Sequence, residues 1–371
     1  MTEPMTEART GRAGWKAELA VFVLSIVIVV LPTVQLLAAH HGDVSALLNT
    51  GDQAASRPFV ERDFADPVLV RGYGHDGQQF YVVARSVTAP DGLQTLDGNV
   101  DRPRYRARRI LFPLLAAPFG AGAPTVWAML AISLTAVGAA AVAAGRLARR
   151  VGGPVWLGLS VALTPALLIG VRASLGDALA FSLALWGVVL WRKRLGWAVV
   201  LFALAALTRE TTLVVPAACF LVGTKRQRLA LAVPFGVYAA WGLAVTWLVH
   251  PRVSQDSTSP VADALRQFAL PFQSWRDLGL GSRTIQLTVL LTMVSLVSAW
   301  VLRHRLPEVA WWLVADVVLI AIAGTGVAED LLNYARLAPL AGVGVALAAW
   351  VAHDESRRST GATTGATTRA S

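Results

Sequence analysis

The stretch LAVFVLSIVIVVLPTVQLLAA, residues 19–39, contains no charged side chain. A helix needs roughly 17–25 mostly apolar residues to cross a bilayer, and this stretch has that length. It is longer than the apolar core of a secretory signal peptide, and no clear small-residue cleavage site lies at 38–41. It therefore predicts a helix that stays in the membrane as an anchor.

The rest of the chain has the same apolar character. Of its 371 residues, 55% are hydrophobic and only 15% are charged, against about 25% in soluble domains. These values exclude a disordered chain, a coiled coil and an ordinary cytosolic enzyme. A single cysteine, Cys219, excludes an intrachain disulfide and a cysteine metal site. We expect an all-α, polytopic fold of about ten spans, at 19–39, 123–145, 152–171, 178–191, 195–208, 211–223, 229–249, 284–302, 308–325 and 335–352.

Basic residues orient these spans. The formal net charge is +10, and clusters of arginine and lysine lie in several short loops, where such clusters stay on the cytoplasmic side of a membrane. If residues 195–223 form two short spans, every basic loop cluster lies on the cytoplasmic side. If they form one interrupted helix, the later clusters lie on the outer side. We therefore expect an inner-membrane protein with both termini in the cytoplasm and no nucleic-acid partner. The predicted regions are a cytoplasmic tail (1–18), a membrane domain (19–352, with an outer loop at about 40–108) and a disordered cytoplasmic tail (353–371).

The outer loop contains a glycine-rich turn, RGYGHDGQQFYVVAR at residues 71–85. Apolar residues return at helical spacing from Gln78 onwards, which predicts a short amphipathic helix lying in the membrane interface. Asp76 falls at the N-terminus of that helix or just before it. The carboxylate is either a helix cap in a turn or a group that takes part in chemistry.

Five arginines lie between residues 102 and 109 on the predicted outer side, against the usual charge trend. Bidentate contacts with a phosphate would offset their charge, and so would salt bridges to loop carboxylates or to anionic lipid head groups. Arg102, Arg106 and Arg109 share a face if the segment is helical, whereas an extended segment groups Arg102 with 104, 106 and 108. The following run contains two prolines and predicts a short re-entrant or interfacial helix.

Charged residues also flank three short outer turns. A charge at mid-span costs about 2.5–3.5 kcal/mol, so such residues are kept when they are paired, hydrated or used. We favour mutual pairing of Arg172 with Asp177, and leave both pairing and phosphate contact open for Arg209 and Arg336. In the ninth span we expect Asp316 to be a buried, hydrogen-bonded acid.

Four segments resemble motifs of the GT-C class of integral membrane glycosyltransferases. Residues 74–84 look like the "YDGQ-Y-IA" motif of uncharacterised bacterial members, although His75 stands where that pattern has tyrosine. Residues 105–113 look like "YR-RRILYP", LTRET at 207–211 like an "L-RE" turn, and NYAR at 333–336 like a motif near the last span. The resemblance implies a large first outer loop that carries a catalytic acid, and a polyprenyl-phosphate sugar as donor.

The resemblance also implies site roles. The enzyme would transfer a sugar, with inversion, to a glycan, lipid or protein acceptor of the cell envelope on the outer face of the membrane. Asp76 would be the catalytic base, with Asp43 and Asp52 as alternatives closer to the first span. The scheme needs no cofactor, and a divalent metal stays an alternative. Arg106, Arg108, Arg109, Arg209 and Arg336 would bind the donor phosphate, and His75, Gln78, Tyr81, Tyr105, Glu210 and Asn333 would contact substrate.

Two other functions fit the same sequence. A transporter or flippase of a lipid-linked or anionic substrate would have its site near the bilayer midplane. A non-catalytic envelope-assembly protein would have a filled outer face. A cavity at the outer end of the helices, lined by Asp76 and arginines, would favour the transferase.

Overall fold

The computed structural model describes residues 4–250, 283–322, 336 and 339–367. Within these ranges the chain is mostly helical, and Thr50–Gly51 (β1) pairs in parallel with Leu69–Val70 (β2). Short 3₁₀ helices cover Val44–Leu48, Gly92–Leu96, Ala117–Phe119, Val155–Val161 and Glu210–Leu213. The α-helices are α1 (Pro4–Ala39), α2 (Arg57–Asp63), α3 (Asp76–Val87), α4 (Pro103–Arg108), α5 (Leu111–Ala116), α6 (Ala123–Arg150), α7 (Pro165–Arg172), α8 (Asp177–Leu190), α9 (Leu195–Thr208), α10 (Val214–Val222), α11 (Lys225–Leu231), α12 (Val233–Leu248), α13 (Arg283–Leu302), α14 (Pro307–Ile322) and α15 (Ala341–Thr367).

Three helical segments are long and apolar enough to cross a membrane: Gly14–Ala39, α6 and the α11–α12 segment Lys225–Leu248. The 3₁₀ helix Val155–Val161 and α7 form a fourth candidate, which is bent by 58°. Helices such as α8 and α9 have the apolar composition of spans, but each has 14 residues, and at 1.5 Å per residue this is less than a bilayer core of about 30 Å. The described residues thus confirm the all-α class, and the ten-span count stays a prediction.

The predicted C-terminal tail differs from expectation, and the first helix extends beyond the predicted span. The first helix begins at Pro4 rather than near Leu19, and α15 continues to Thr367 although the sequence predicts disorder from 353. Extending a helix by a turn costs far less than nucleating one, so an apolar helix readily continues into polar sequence. An i,i+4 ion pair of 2.8 Å between Asp354 and Arg358 supports the extension of α15.

Small residues bring the helices around α6 close together. A Cβ added to Gly158 would lie 2.1 Å from the carbonyl oxygen of Ala141 in α6, and one added to Gly187 in α8 would lie 2.4 Å from the ring of Phe202 in α9. Such close approach is typical of helix pairs that pack through small residues. This packed group is the support on which the loop between α1 and α6 rests.

The predicted cytoplasmic ends of these helices are joined by ion pairs. Glu18 of α1 binds Arg146 at 2.8 Å and Arg149 at 2.9 Å on α6. At the start of α14, Glu308 is only 2% exposed and binds Arg192 at 2.8 Å. Several arginines that the sequence assigns to topology therefore also tie helices together.

The long loop folds against the opposite ends of the helices, and α3 is its centre. The side chains of 81–84 are completely buried, so the expectation of an amphipathic helix lying in the membrane interface is wrong: protein covers α3 on most sides. Glycines permit this fit. A Cβ added to Gly77 would lie 2.2 Å from the carbonyl oxygen of Ala173. A Cβ added to Gly74, which has a φ of +68°, would lie 2.3 Å from the carbonyl oxygen of Asn49. These contacts fix the N-terminus of α3 beside the α7–α8 connection.

Candidate functional site

Asp76 is the first residue of α3, as the sequence predicts, but it is not the cap. His75 occupies the N-cap position with extended backbone. The Asp76 carboxylate instead accepts a hydrogen bond from Arg106 Nη1 at 2.8 Å and one from Arg336 Nη2 at 3.3 Å. Arg109 Nη1 lies 4.0 Å away, and the first turn of a helix also favours a negative charge.

These arginines decide the ionisation of Asp76. Burial alone opposes ionisation, but the guanidinium groups of Arg106, Arg336 and Arg109 outweigh it and hold the pKa of Asp76 well below its ordinary value. The side chain is still 22% exposed. Asp76 is therefore an accessible carboxylate that stays charged at neutral pH.

The segment that carries Arg106 is helical, so the helical alternative for the arginine cluster is confirmed. Arg102, Arg106 and Arg109 lie on one face, over the ring of Tyr105, with their guanidinium carbons 4.6, 5.4 and 4.4 Å from its centroid. Arg106 also binds Asp101 through two hydrogen bonds of 2.7 and 2.8 Å. Arg106 is thus held between two carboxylates.

Arg109 connects α4 to the turn after α9. Its Nε donates to Glu210 at 2.9 Å, and its Nη2 contacts both Glu210 and the Tyr105 hydroxyl. Burial would raise the pKa of Glu210, but Arg109 lowers it to about 2. The pair joins residues that are 101 positions apart in the chain.

Asp177, at the start of α8, completes the cluster with different partners from those predicted. One of its oxygens accepts a hydrogen bond from Arg336 Nε at 3.0 Å, and the other pairs with Arg209. The predicted Arg172–Asp177 pair is wrong, because Arg172 ends α7 with its side chain exposed. Asp177 is only 7% exposed. It therefore pairs with the two arginines whose side chains lie inside the fold, and not with the exposed Arg172.

We call this set of linked charges the ion-pair network. Its four buried guanidinium groups are matched by four carboxylates, and the exposed Arg102, 3.7 Å from Asp101, adds one further positive charge at the edge. A phosphate that entered would compete with the carboxylates for their arginines. The Nε of Arg209 is buried without a hydrogen-bond partner in the part of the chain that the structure describes. The network consists of Arg106, Arg109, Arg209, Arg336, Asp76, Asp101, Asp177 and Glu210.

Two predicted contact residues lie elsewhere, and a third falls outside the described residues. Arg108 points away from Asp76, since its Nε lies 3.9 Å from where a Cβ of Gly242 in α12 would be. The Tyr81 hydroxyl is internal: it donates to Asp63 at 2.5 Å and accepts from the backbone of Gly122 at 2.7 Å. Asn333 lies outside the described residues. The structure thus gives neither Arg108 nor Tyr81 a place beside Asp76.

Gln78 has a structural role in the glycine-rich turn. Its Oε1 accepts hydrogen bonds from Gly51 N at 3.2 Å and Ser56 Oγ at 2.6 Å, and its Nε2 donates to the carbonyl oxygen of Tyr73 at 2.6 Å. The side chain is 1% exposed. Both ends of the amide are bonded inside the protein, which gives Gln78 a structural role in the turn beside the cleft.

The alternative catalytic acids also have local roles. Asp43 accepts a hydrogen bond from the backbone of Ser45 at 2.8 Å and caps a 3₁₀ helix. Asp52 accepts one from the backbone of Gly72 at 2.7 Å. Neither belongs to the ion-pair network, so the geometry favours Asp76 over both.

Asp76 faces a cleft of about 200 Å³ on the glycine-rich side of the network. The ring of Tyr73, at its edge, is 77% exposed. Sequence reasoning missed Gln79, which also lines the cleft and is 5% exposed; its only sequence signal is its position three residues after Asp76. The cleft is lined by Ala54, Ala55, Tyr73, Gly74, His75, Asp76, Gln78, Gln79, Asp101 and Arg106.

A second, narrower cavity lies on the other side of the network and reaches Asp177, Arg209 and Arg336. Asp316 of α14 also lines it. Asp316 is 2% exposed and accepts a hydrogen bond from Trp312 Nε1 at 3.1 Å, which confirms the expected buried, hydrogen-bonded acid. The network thus separates a polar cleft from a cavity between the helices.

No family model, curated protein or solved structure matches this chain. Among the described residues, no three His, Cys, Asp or Glu side chains are grouped as a metal site requires.

Proposed function

We propose that this chain is an integral membrane glycosyltransferase of GT-C type. It would transfer a sugar from a polyprenyl-phosphate donor to an acceptor of the cell envelope. One observation carries the proposal: an ionised, accessible carboxylate, Asp76, lies between a polar cleft and a group of buried arginines. This site is formed where the loop after α1 meets the ends of apolar helices, which suits a donor with a lipid tail and a polar head.

The chemistry requires a base on one side and a cation on the other. The acceptor oxygen attacks the anomeric carbon as the bond from that carbon to the phosphate oxygen breaks, and the polyprenyl phosphate leaves with the electron pair. Asp76 takes the proton of the acceptor hydroxyl as the new bond forms. Arginines of the network stabilise the charge on the departing phosphate. Attack opposite the leaving group inverts the anomeric centre.

The low pKa of Asp76 fits this scheme only if its arginines move to the donor. An arginine bound to a phosphate no longer lowers the pKa of the carboxylate that it leaves. Donor binding would thus draw Arg106 or Arg336 from Asp76 and make it a stronger base when the substrate is present. Arg209, which has a buried Nε without a partner among the described residues, would bind the phosphate from the other side.

The proposed arrangement has ten spans in the inner membrane, with both termini in the cytoplasm and the network on the outer side. Single cysteines introduced after Cys219→Ala test it. Asp91→Cys lies in the outer loop and Lys193→Cys between α8 and α9, and both positions are exposed. In intact cells an impermeant maleimide should modify only the first, and the second should react after lysis. Labelling of position 193 in intact cells would contradict the topology.

Deletion of the gene tests the function itself. We expect mass spectrometry of envelope glycans and glycolipids from the deletion strain to show the loss of one sugar residue. The wild-type gene should restore it. An unchanged envelope profile under conditions where the protein is expressed would count against transfer and favour a non-catalytic role.

Transport is the second candidate, because one observation favours it. The narrow cavity between the helices joins Asp316 to the arginines of the network, and transporters bind their substrates between helices near the midplane. A transporter would leave sugar composition unchanged in isolated membranes supplied with donor and acceptor. A transferase would form product there.

A further inference from the structure

Gln79 is a buried polar side chain with an unused acceptor. It is 5% exposed and lines the cleft in front of Asp76, and its Oε1 has no hydrogen-bond partner in the described part of the chain. Its neighbour Gln78 is equally buried, but both ends of its amide are bonded inside the protein. A buried carbonyl without a partner is uncommon in folded proteins and calls for an explanation, such as an absent ligand or water.

The charges of the cleft indicate the kind of ligand. Two carboxylates, Asp76 and Asp101, line it with one guanidinium, Arg106, and Arg106 already binds both of them. An anion would therefore meet more negative than positive charge here. An uncharged ligand with several hydroxyl groups would meet acceptors instead, on Asp76, Asp101 and Gln79. The exposed ring of Tyr73 offers a flat surface for the C–H face of a sugar.

We infer that the cleft binds a neutral carbohydrate, and that Gln79 accepts a hydrogen bond from one of its hydroxyl groups. This carbohydrate would be the acceptor in the proposed transfer, and only that part of the inference rests on the proposed function. The donor phosphate would bind on the opposite side of Asp76, near Arg209 and Arg336. Asp76 would then lie between donor and acceptor, as a base must.

A cysteine at the cleft can report on binding without any transfer. Ala55 is exposed and lines the cleft, so the full-length Cys219→Ala, Ala55→Cys protein in detergent provides a single reactive thiol. Its rate of reaction with a maleimide would be measured with methyl glucoside, galactoside, mannoside and arabinoside as neutral probes. Inorganic phosphate at matched ionic strength would be the anionic probe. We expect at least one glycoside to slow the reaction in a saturable way and phosphate to have no such effect.

Gln79→Ala should then lower the affinity for the protecting glycoside by about tenfold, the usual effect of losing one hydrogen bond to a buried group. Gln53→Ala is the matched control, because Gln53 is exposed in the same loop and should leave protection unchanged. Gln79→Met keeps the length of the side chain but removes its amide acceptor, and it replaces Gln79→Ala if the smaller residue prevents folding.

Saturable protection by phosphate, no protection by any glycoside, or equal protection in the Gln79 and Gln53 variants would each overturn the inference. These results are separate from a failure of the proposed function. If glycosides bind but the envelope of the deletion strain is unchanged, the cleft binds carbohydrate and the proposed transferase function is wrong. If an envelope sugar is lost but no glycoside binds, the transferase function is supported and the assignment of the cleft to a carbohydrate is wrong.

Discussion

Asp76→Asn should reduce sugar transfer by about 10²–10⁴-fold, the usual contribution of a positioned general base. Asparagine keeps the size of the side chain and its position at the first residue of α3. It cannot take the proton of the acceptor hydroxyl, because an amide is not basic at neutral pH. Transfer of labelled sugar in membranes with added donor lipid would measure the loss, with expression and melting temperature compared in the same preparations.

Asp101→Asn is the matched control for this variant. Asp101 binds the same Arg106 through two hydrogen bonds, but its side chain is 42% exposed, against 22% for Asp76. If Asp76 only neutralised Arg106, the two variants would lose similar activity. Because Asp101 also lines the cleft, we expect the Asp101 variant to bind the acceptor more weakly, but to lose much less transfer at saturating acceptor than Asp76→Asn. Near-normal transfer by Asp76→Asn would reject Asp76 as the base.

The sequence predicts the local parts of this site well, because they depend on neighbouring residues. Returning apolar spacing after Gln78 indicated the helix that begins at Asp76. The same reasoning offered a helical face for Arg102, Arg106 and Arg109, which the structure confirms over the ring of Tyr105. Both features arise within one or two turns of chain.

The partners of these residues could not be predicted in the same way. Arg109 binds Glu210 across 101 positions, and Arg336 binds Asp177 across 159. Periodicity carries no information about which helix ends meet, so the sequence paired Asp177 with the nearby Arg172. It also assigned α3 to the membrane interface, since an amphipathic pattern does not tell whether lipid or protein covers the apolar side.

The balance of charge is the most consequential difference. From sequence, a phosphate, loop carboxylates and anionic lipid head groups were all open as partners of the arginines on the outer side. The structure shows the deepest of them bound to carboxylates. A donor phosphate would therefore have to displace these carboxylates from their arginines, rather than fill an empty cationic site. The affinity for the donor should then depend on each of the acidic partners.

Asp177→Asn should have the largest effect on stability, lowering the free energy of unfolding by about 3–5 kcal/mol. Asp177 is 7% exposed and holds two arginines, Arg209 and Arg336. The substitution leaves Arg209 buried with its charge uncompensated by this carboxylate, whereas Arg336 keeps Asp76. Desolvation of a guanidinium costs several kcal/mol per ion when its partner is lost. Thermal unfolding in detergent would measure the change.

Glu61→Gln is the control that separates burial from pairing. Arg57 and Glu61 form an ion pair of 2.7 Å, comparable in length to the buried pairs, but the two side chains are 41% and 39% exposed. Water screens such a pair, so its loss should cost less than about 1 kcal/mol. If both variants unfolded within 1 °C of the wild type, water would have to reach Asp177 freely. The network would then be an open, hydrated set of charges, and a phosphate could enter it without displacing a buried carboxylate.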